Sequence, residues 1–582
     1  NANTAIGYQA LYANTTGARN TAVGYQAASA NTTATGVTAV GYKVMTVSTG
    51  ARNTAVGGGD DTNYNAALFA NTTGTDNAAF GIGALASNTT GVANTALGVA
   101  AAYYNITGNN NIAIGQQALY SNSGANNMVA VGVGALYNET SSGYAVAVGH
   151  NAYYTHNAAE NYGSAVVGFY AGRATTTGVE NVFVGGYAAR YNTTGYNNVA
   201  VGSSALFNNT TGYTNVAVGY QSLYSNTTGV ENTAVGYQTL KANTIGTALT
   251  AVGYGALTAN TTGTNNTAVG DSALIANTIG QYNTAVGVSS LQANTTGSSN
   301  TGVGQGALQS NTIGTSNSAF GYQALFSNTT GFHNVAVGTG SLTTNATGAY
   351  NTAIGTNALN KNTREANTGV GYQAGYSNST GDTNAYFGYL AGYGVTTASQ
   401  VLYLGAYSGP DTSTTSTGNR NVGVGYSTLT KTTSGSQNVA VGGNALRVNS
   451  TGSNNSAVGD QAFYNNTTAS NNTAVGYQAG YTNTVNGPFV ALGYQAGYNS
   501  TGGYNTFVGN KAGYGQTTGD SNTYIGRNIA SGGTSTGSVN TIVGNRAFLN
   551  ATSGSSNSAL GGNALLSTTT GNYNVAIGQD SL

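Results

Sequence analysis

A glycine returns every 17 residues along most of this 582-residue chain, and that period restricts the fold more than any other property of the sequence. The anchors begin at Gly7, Gly24, Gly41 and Gly57, pass through Gly219, Gly236, Gly253 and Gly270, and end at Gly544, Gly561 and Gly578, 34 in all. A fixed period of this length marks a repeat architecture, in which each unit completes one turn of a stack and buries its faces only against its neighbours. The longest step, 24 residues, ends at Gly81 and contains Gly58-Gly59-Asp60-Asp61-Thr62-Asn63, which reads as a loop let out at a turn. Further insertions are expected near 150–163, 409–418 and 530–537, with the first near 58–65.

The unit from Asn215 to Asn232 shows what one turn contains. Val216-Ala217-Val218 alternates with period two, as a strand does, and Gly219 permits a bend. Ser222-Leu223-Tyr224 reads as a second short strand, and Asn226-Thr227-Thr228-Gly229 has the chemistry of a turn. Helix is disfavoured, because charged residues make up only 5% of the chain where a soluble domain has roughly 25%, and because solvated helix faces need Lys, Glu, Arg and Gln. The expected fold is all-β: one continuous β-solenoid over residues 1–582, with about 34 coils, 17 residues per coil and two short strands per coil. Rungs about 4.8 Å apart would make a rod of roughly 160 Å. The sequence starts and stops inside a repeat, so it is expected to be a segment truncated at both ends.

Each strand has two faces. The residue before the anchor is large and apolar (Ile6, Val23, Val40, Val56, Phe80, Leu97, Ile114). The other face carries Ala5, Ala22, Ala39, Ala55 and Ala79, small enough that something must pack closely there. Four residues after most anchors comes Leu, as at Leu11, Leu85, Leu119, Leu223 and Leu325. Where that Leu becomes Gly172, Gly375, Gly392, Gly497 or Gly513, the next strand carries Phe183, Tyr386, Tyr403, Phe507 or Tyr524 in the Ala position. Close-packed interiors enforce such an exchange of volume, so the two positions should touch, within one chain or across an interface. Gly409 and Gly480 break the converse, being followed by Gly423 and Ala491. A narrow coil has one interior and cannot bury both the Val and the Ala/Leu layers. The chain is therefore expected to form a parallel homo-oligomer, a trimer about a shared axis, the alternative being a monomer whose wider coil buries both faces by itself.

The block Asn-Thr-Ala-Val-Gly-Tyr-Gln-Ala-Leu resembles the head repeats of trimeric autotransporter adhesins, which form trimeric left-handed β-rolls. The form with Asn226-Thr227-Thr228-Gly229 is also similar to repeats of bacterial and phage tail-fibre-like proteins. The resemblance covers essentially the whole chain, although its period is longer than that of the adhesin heads. It implies an extracellular, cell-surface or virion-surface fibre, with cell-surface glycans or a host receptor as possible partners.

Chemistry is scarce. His150 and His156 share an irregular repeat with Glu160, and a solvated loop accounts for them better than a metal site, because their spacing matches no ligand motif. Asp60 and Asp61 have only Asp76 nearby, short of the six or more oxygens Ca²⁺ needs, and read as a polar loop. Nothing supplies a base, a nucleophile and an oxyanion hole together, so no enzyme, cofactor or metal is expected. The formal charge is zero with 14 basic residues scattered along the chain, which argues against nucleic acid. No apolar run is long enough for membrane contact within this segment.

Two groups of residues are candidates for binding or modification. Tyr8, Tyr25, Tyr220, Tyr237, Tyr254, Tyr322, Tyr477 and Tyr494 follow their anchors directly and suit contact with glycans or protein partners, unless they merely cover the corners of the stack. Asn14, Asn71, Asn192, Asn226, Asn260 and Asn328 open Asn-x-Thr acceptor patterns and are possible glycosylation sites. The preferred reading of these asparagines is a ladder of stacked amides along the axis. The expected function is that of a structural subunit of an extended fibre contributing to surface attachment. A glycan- or receptor-binding adhesin or tail-fibre segment is the second reading. Ice binding ranks third, because the Thr pairs, such as Thr15-Thr16, sit at turns.

Overall fold

The computed structural model describes residues 2–59, 62–140, 143–158, 163–484 and 487–582. These contain 34 three-residue strands and no helix among the described residues. The chain divides into two compact units, Asn1–Ser289 with Ala293–Thr296, and Ser290–Gln292 with Gly297–Leu582. The strands run from β1 (Thr4–Ile6) to β17 (Thr284–Val286) in the first unit and from β18 (Thr301–Val303) to β34 (Val575–Ile577) in the second. Within each unit every strand pairs in parallel with the strand of the next repeat, in the register set by the anchors: Thr4 with Thr21, Val216 with Thr233, Thr301 with Ser318. One repeat is thus one rung of a parallel β-solenoid, as the sequence predicts.

The second half of each coil differs from expectation. Tyr220–Ser225 is a run of turns and not a strand, with Gln221 and Leu223 in the left-handed region at φ 53° and 50°. The same two positions are left-handed in coil after coil, as at Gln26 and Ala28 or Ser204 and Leu206. Their apolar/polar alternation has the period of a strand, which is why the residue pattern alone suggests one. The backbone groups still find partners in neighbouring coils: Gln221 N–H donates to Ser203 O at 3.1 Å, Leu223 N–H to Thr239 O at 3.0 Å, and Ser225 N–H to Lys241 O at 3.0 Å. Interior backbone is paired without a second sheet.

The anchor glycine has a steric cause. Gly219 has φ 131°, a conformation open essentially to glycine alone. A β-carbon there would also meet the Gly236 carbonyl carbon of the next coil at 2.7 Å. The anchors therefore stack backbone against backbone.

Ala, and not Val, faces the interior. Ala22, Ala39, Ala217 and Ala234 are fully buried, together with Leu85, Leu119, Leu206 and Leu223 from the opposite wall. The residues on either side of each Ala point outward and remain partly exposed, reaching 59% at Ile6 and 50% at Leu97. The Ala is small because the wall opposite is close: a β-carbon at Gly369, in an Ala position, would lie 2.8 Å from Leu359 Cγ. The outward face therefore carries two columns, one of apolar residues before each anchor and one, two residues earlier, mostly of Thr, Val or Ser, with Ala78, Ile112, Ala165, Ala385 and Leu402 as the exceptions. Single Thr residues such as Thr21, Thr38 and Thr233 stand on the flat strand face, while the Thr pairs lie outside the strands.

The exchange of Leu for Gly is a contact within one chain. A β-carbon at Gly172 would stand 2.9 Å from the Phe183 ring, one at Gly375 2.5 Å from Tyr386, and one at Gly497 2.7 Å from Phe507. The two exceptions are also explained. Gly409 borders the Tyr403 ring of its own coil, and Gly480 borders Phe463, which replaces Leu in the coil before. Because this position is left-handed, Gly there relieves backbone strain while it makes room for the ring.

Ala217→Phe alone should destabilise the stack by roughly 1–3 kcal/mol through overpacking, and adding Leu206→Gly should recover most of that loss. Thermal unfolding of the two single variants and the double variant measures the coupling. Strictly additive effects would show that the two positions do not share a cavity.

Candidate functional site

The solenoid presents three kinds of surface or interior column, and each has a distinct chemistry. The first is internal. Asn226 Nδ2 donates to Asn209 Oδ1 at 2.8 Å and to Gly229 O at 3.0 Å, and Asn243 Nδ2 donates in turn to Asn226 Oδ1 at 3.0 Å. A second column lies just before the strands: Asn215 Nδ2 donates to Gly229 O at 3.0 Å, and Asn232 N–H donates to Asn215 Oδ1 at 3.1 Å. These ladders satisfy amides that are wholly buried. Of the candidate glycosylation residues, Asn71, Asn192, Asn226, Asn260 and Asn328 are buried ladder members, and Asn14 is half-buried at a ladder position. The nitrogen that would carry a sugar is in each case a donor to Gly O three residues on, as in Asn260 to Gly263 at 3.1 Å.

One pair of rungs in this ladder has different chemistry. Glu139 and His156 occupy the ladder position in successive coils, and both are buried. His156 Nδ1 lies 2.6 Å from Glu139 Oε2, and the Tyr153 ring stacks on the imidazole at 4.1 Å. His156 is therefore part of the core, not of a solvated loop. Glu160, grouped with it on sequence grounds, lies outside the described residues, as do Asp60 and Asp61. Asp76 instead pairs with Arg52 at 2.5 and 2.7 Å, and that hydrogen-bonded pairing holds its carboxyl down to about 2. Among the described residues no three His, Cys, Asp or Glu side chains gather as a metal site.

The aromatic columns are external. Tyr8, Tyr25 and Tyr42 stack along the axis at 5.1 and 5.3 Å, Tyr220, Tyr237 and Tyr254 at 5.5 and 5.1 Å, and Tyr477 and Tyr494 at 5.5 Å. All eight candidate tyrosines, Tyr322 included, are exposed. A second column runs through Tyr120, Tyr137 and Tyr154 at 4.9 and 4.8 Å. In these ladders each ring covers its neighbour's face, so rows of hydroxyl edges meet the solvent. A flat sugar finds a free ring face only where a ladder ends or breaks.

The third surface is the outer sheet face, uncharged throughout in both strand columns. Against known proteins, the chain matches no family model and no curated protein. No helix among the described residues is long and apolar enough to cross a membrane.

Removing the imidazole with His156→Ala should cost roughly 3–5 kcal/mol, as breaking a buried pair does. Replacing both with Glu139→Asn and His156→Asn should restore the amide ladder and much of the stability, read by thermal denaturation. Burial pushes the hydroxyls of Tyr153, Tyr386, Tyr403 and Tyr524 above the ordinary tyrosine range. Because the folded state holds these protons more tightly, the stability they contribute is intact below about pH 10 and is lost as pH rises further. The Tyr386→Phe/Tyr403→Phe variant should therefore unfold at a higher pH than the native chain in an alkaline titration followed by circular dichroism. An unchanged midpoint would remove these two groups as the cause.

Proposed function

We propose that this chain is a structural segment of an extended extracellular or virion-surface fibre, self-associated as a parallel homotrimer through its outer sheet faces. One observation carries the reading: the apolar column before the anchors stays half-exposed in rung after rung, without a single charge. At about 4.8 Å per rung and about 10 Å of width, 17 rungs make a stripe of roughly 800 Å² in each unit. Monomeric proteins rarely expose a contiguous apolar patch of more than a few hundred Å². A standard protein interface covers about 800 Å² of each partner. Parallel association keeps every rung of one copy level with the same rung of the next. The resemblance to trimeric adhesin heads supports three copies over two. Low charge, the absence of assembled catalytic groups among the described residues, and paired backbone in every rung suit a stiff spacer.

Electron micrographs should show thin rods, and mass measurement at native concentration should give three copies. The variant Val218→Lys/Val235→Lys/Val252→Lys places three charges on the stripe without touching the core. It should fold normally by circular dichroism and run as a monomer. A native chain that is already monomeric would overturn the reading, as would compact particles. Thr233, Thr250, Thr267 and Thr284 form an outward hydroxyl column on the same face. Thermal hysteresis from a monomeric chain would reassign that face to ice.

A further inference from the structure

Two arginines interrupt the external aromatic column of the first unit. The column position five residues after the anchor holds Tyr120, Tyr137 and Tyr154, then Arg173 and Arg190, then Phe207 and Tyr224. In the rungs on either side the rings stack on one another, Tyr120 on Tyr137 at 4.9 Å, Tyr137 on Tyr154 at 4.8 Å and Phe207 on Tyr224 at 4.9 Å. Here two like charges stand in adjacent rungs about 4.8 Å apart, an arrangement that destabilises a stack. Among the described residues neither guanidinium has a carboxylate within ion-pair reach. The Nε atoms of both are buried without a hydrogen-bond partner.

The surrounding rings hold the two cations in place. Arg173 lies 5.8 Å from the Tyr154 ring and 5.1 Å from Tyr170. Arg190 lies 5.4 Å from Tyr170, 5.3 Å from Tyr187 and 5.1 Å from Tyr191. Tyr170 thus bridges the two guanidiniums. Ring stacking breaks at the same place: Phe169 meets Tyr187 at 82°, and Tyr191 meets Phe207 at 88°. Guanidiniums, in place of other rings, lie over the faces of Tyr170, Tyr187 and Tyr191 here, and neither charge has a carboxylate partner among the described residues. Structural rigidity alone gives no reason for this substitution, because Tyr in both rungs would continue the ladder. Single cations occur in this column at Lys241 and Arg447, but two in adjacent rungs are a local conflict of the kind expected at functional positions.

We propose that the patch of Tyr154, Tyr170, Arg173, Tyr187, Arg190 and Tyr191 binds an acidic polysaccharide, with anionic groups of successive sugars paired to successive guanidiniums. Planar guanidinium matches the two-oxygen edge of a carboxylate or sulfate. The tilted tyrosines supply sugar-facing surface and hydroxyls. Nucleic acid fits less well. The formal charge of the chain is zero and its 14 basic residues are spread over 582 positions, so two phosphates are all this site can neutralise. The site lies on the turn side of the coil and not on the sheet face proposed to associate, so it does not depend on the trimer.

The test uses the full chain in affinity electrophoresis with polygalacturonate, heparin, dextran and single-stranded oligothymidylate. Polygalacturonate or heparin should retard the native chain; retardation by polygalacturonate identifies carboxylate as the anion, and retardation by heparin alone, which carries carboxylate and sulfate, identifies sulfate. Dextran and the oligonucleotide should not. The Arg173→Gln/Arg190→Gln variant should bind about a hundredfold more weakly, about tenfold for each guanidinium lost. If that variant does not fold, dicarbonyl labelling of the native chain decides, with the effective polysaccharide expected to protect Arg173 and Arg190 in the mass spectrum. Equal retardation of the variant, retardation by the oligonucleotide alone, no retardation by either acidic polymer, or unprotected arginines would each overturn the proposal. Because monomer and trimer both expose this side, failure here leaves the fibre reading untouched, and a monomeric chain that binds would leave this one standing.

Discussion

The close contact of one anchor glycine with the next sets the geometry on which everything else in the coil depends. Gly219 lies so near Gly236 that no side chain fits between them. Coil rise is thereby fixed at backbone contact, the separation at which N–H and C=O groups of successive rungs pair. Once that rise is fixed, any side chain at a given position meets its own kind one rung away. Columns of Ala, Leu, Asn, Tyr and Val follow from this single constraint.

The columns are stable for different reasons. Asn226 and Asn215 survive in the core because their amide nitrogens donate to acceptors in their own turn or in an adjacent coil. A single mismatched rung would leave a buried polar group unpaired, which costs more than one hydrogen bond contributes. Glu139 and His156 show how the ladder accepts a change: two adjacent rungs change together, and the carboxyl and imidazole meet in place of two amides. The Gly/aromatic pairs follow the same rule in volume. Phe507 fits because Gly497 and Gly513 flank it on both sides.

Division of labour among the faces follows from this. The inward side is filled within one chain by Ala and Leu and needs no partner. The sheet exterior carries a continuous apolar column beside one that mixes hydroxyl and apolar residues, and no charge. The turn side carries aromatic ladders over part of its length, and around Arg173 and Arg190 two cations stand among tilted rings.

Much of this was legible in the residues. The period fixed one rung per repeat, the Gly/aromatic exchange identified a real contact, and the turn asparagines suggested their ladder. Which wall faces inward was not legible, since period-two alternation reveals two faces but not which lies opposite another wall, and here both are free of charge. The turn run was mistaken for a strand because left-handed residues such as Leu223 alternate with the same period. His156 looked like a loop residue because its partner, Glu139, lies one full coil away in sequence. The arginine patch shows no motif, since Arg173 and Arg190 become neighbours only when 17 residues close into a turn and one coil is laid upon the next.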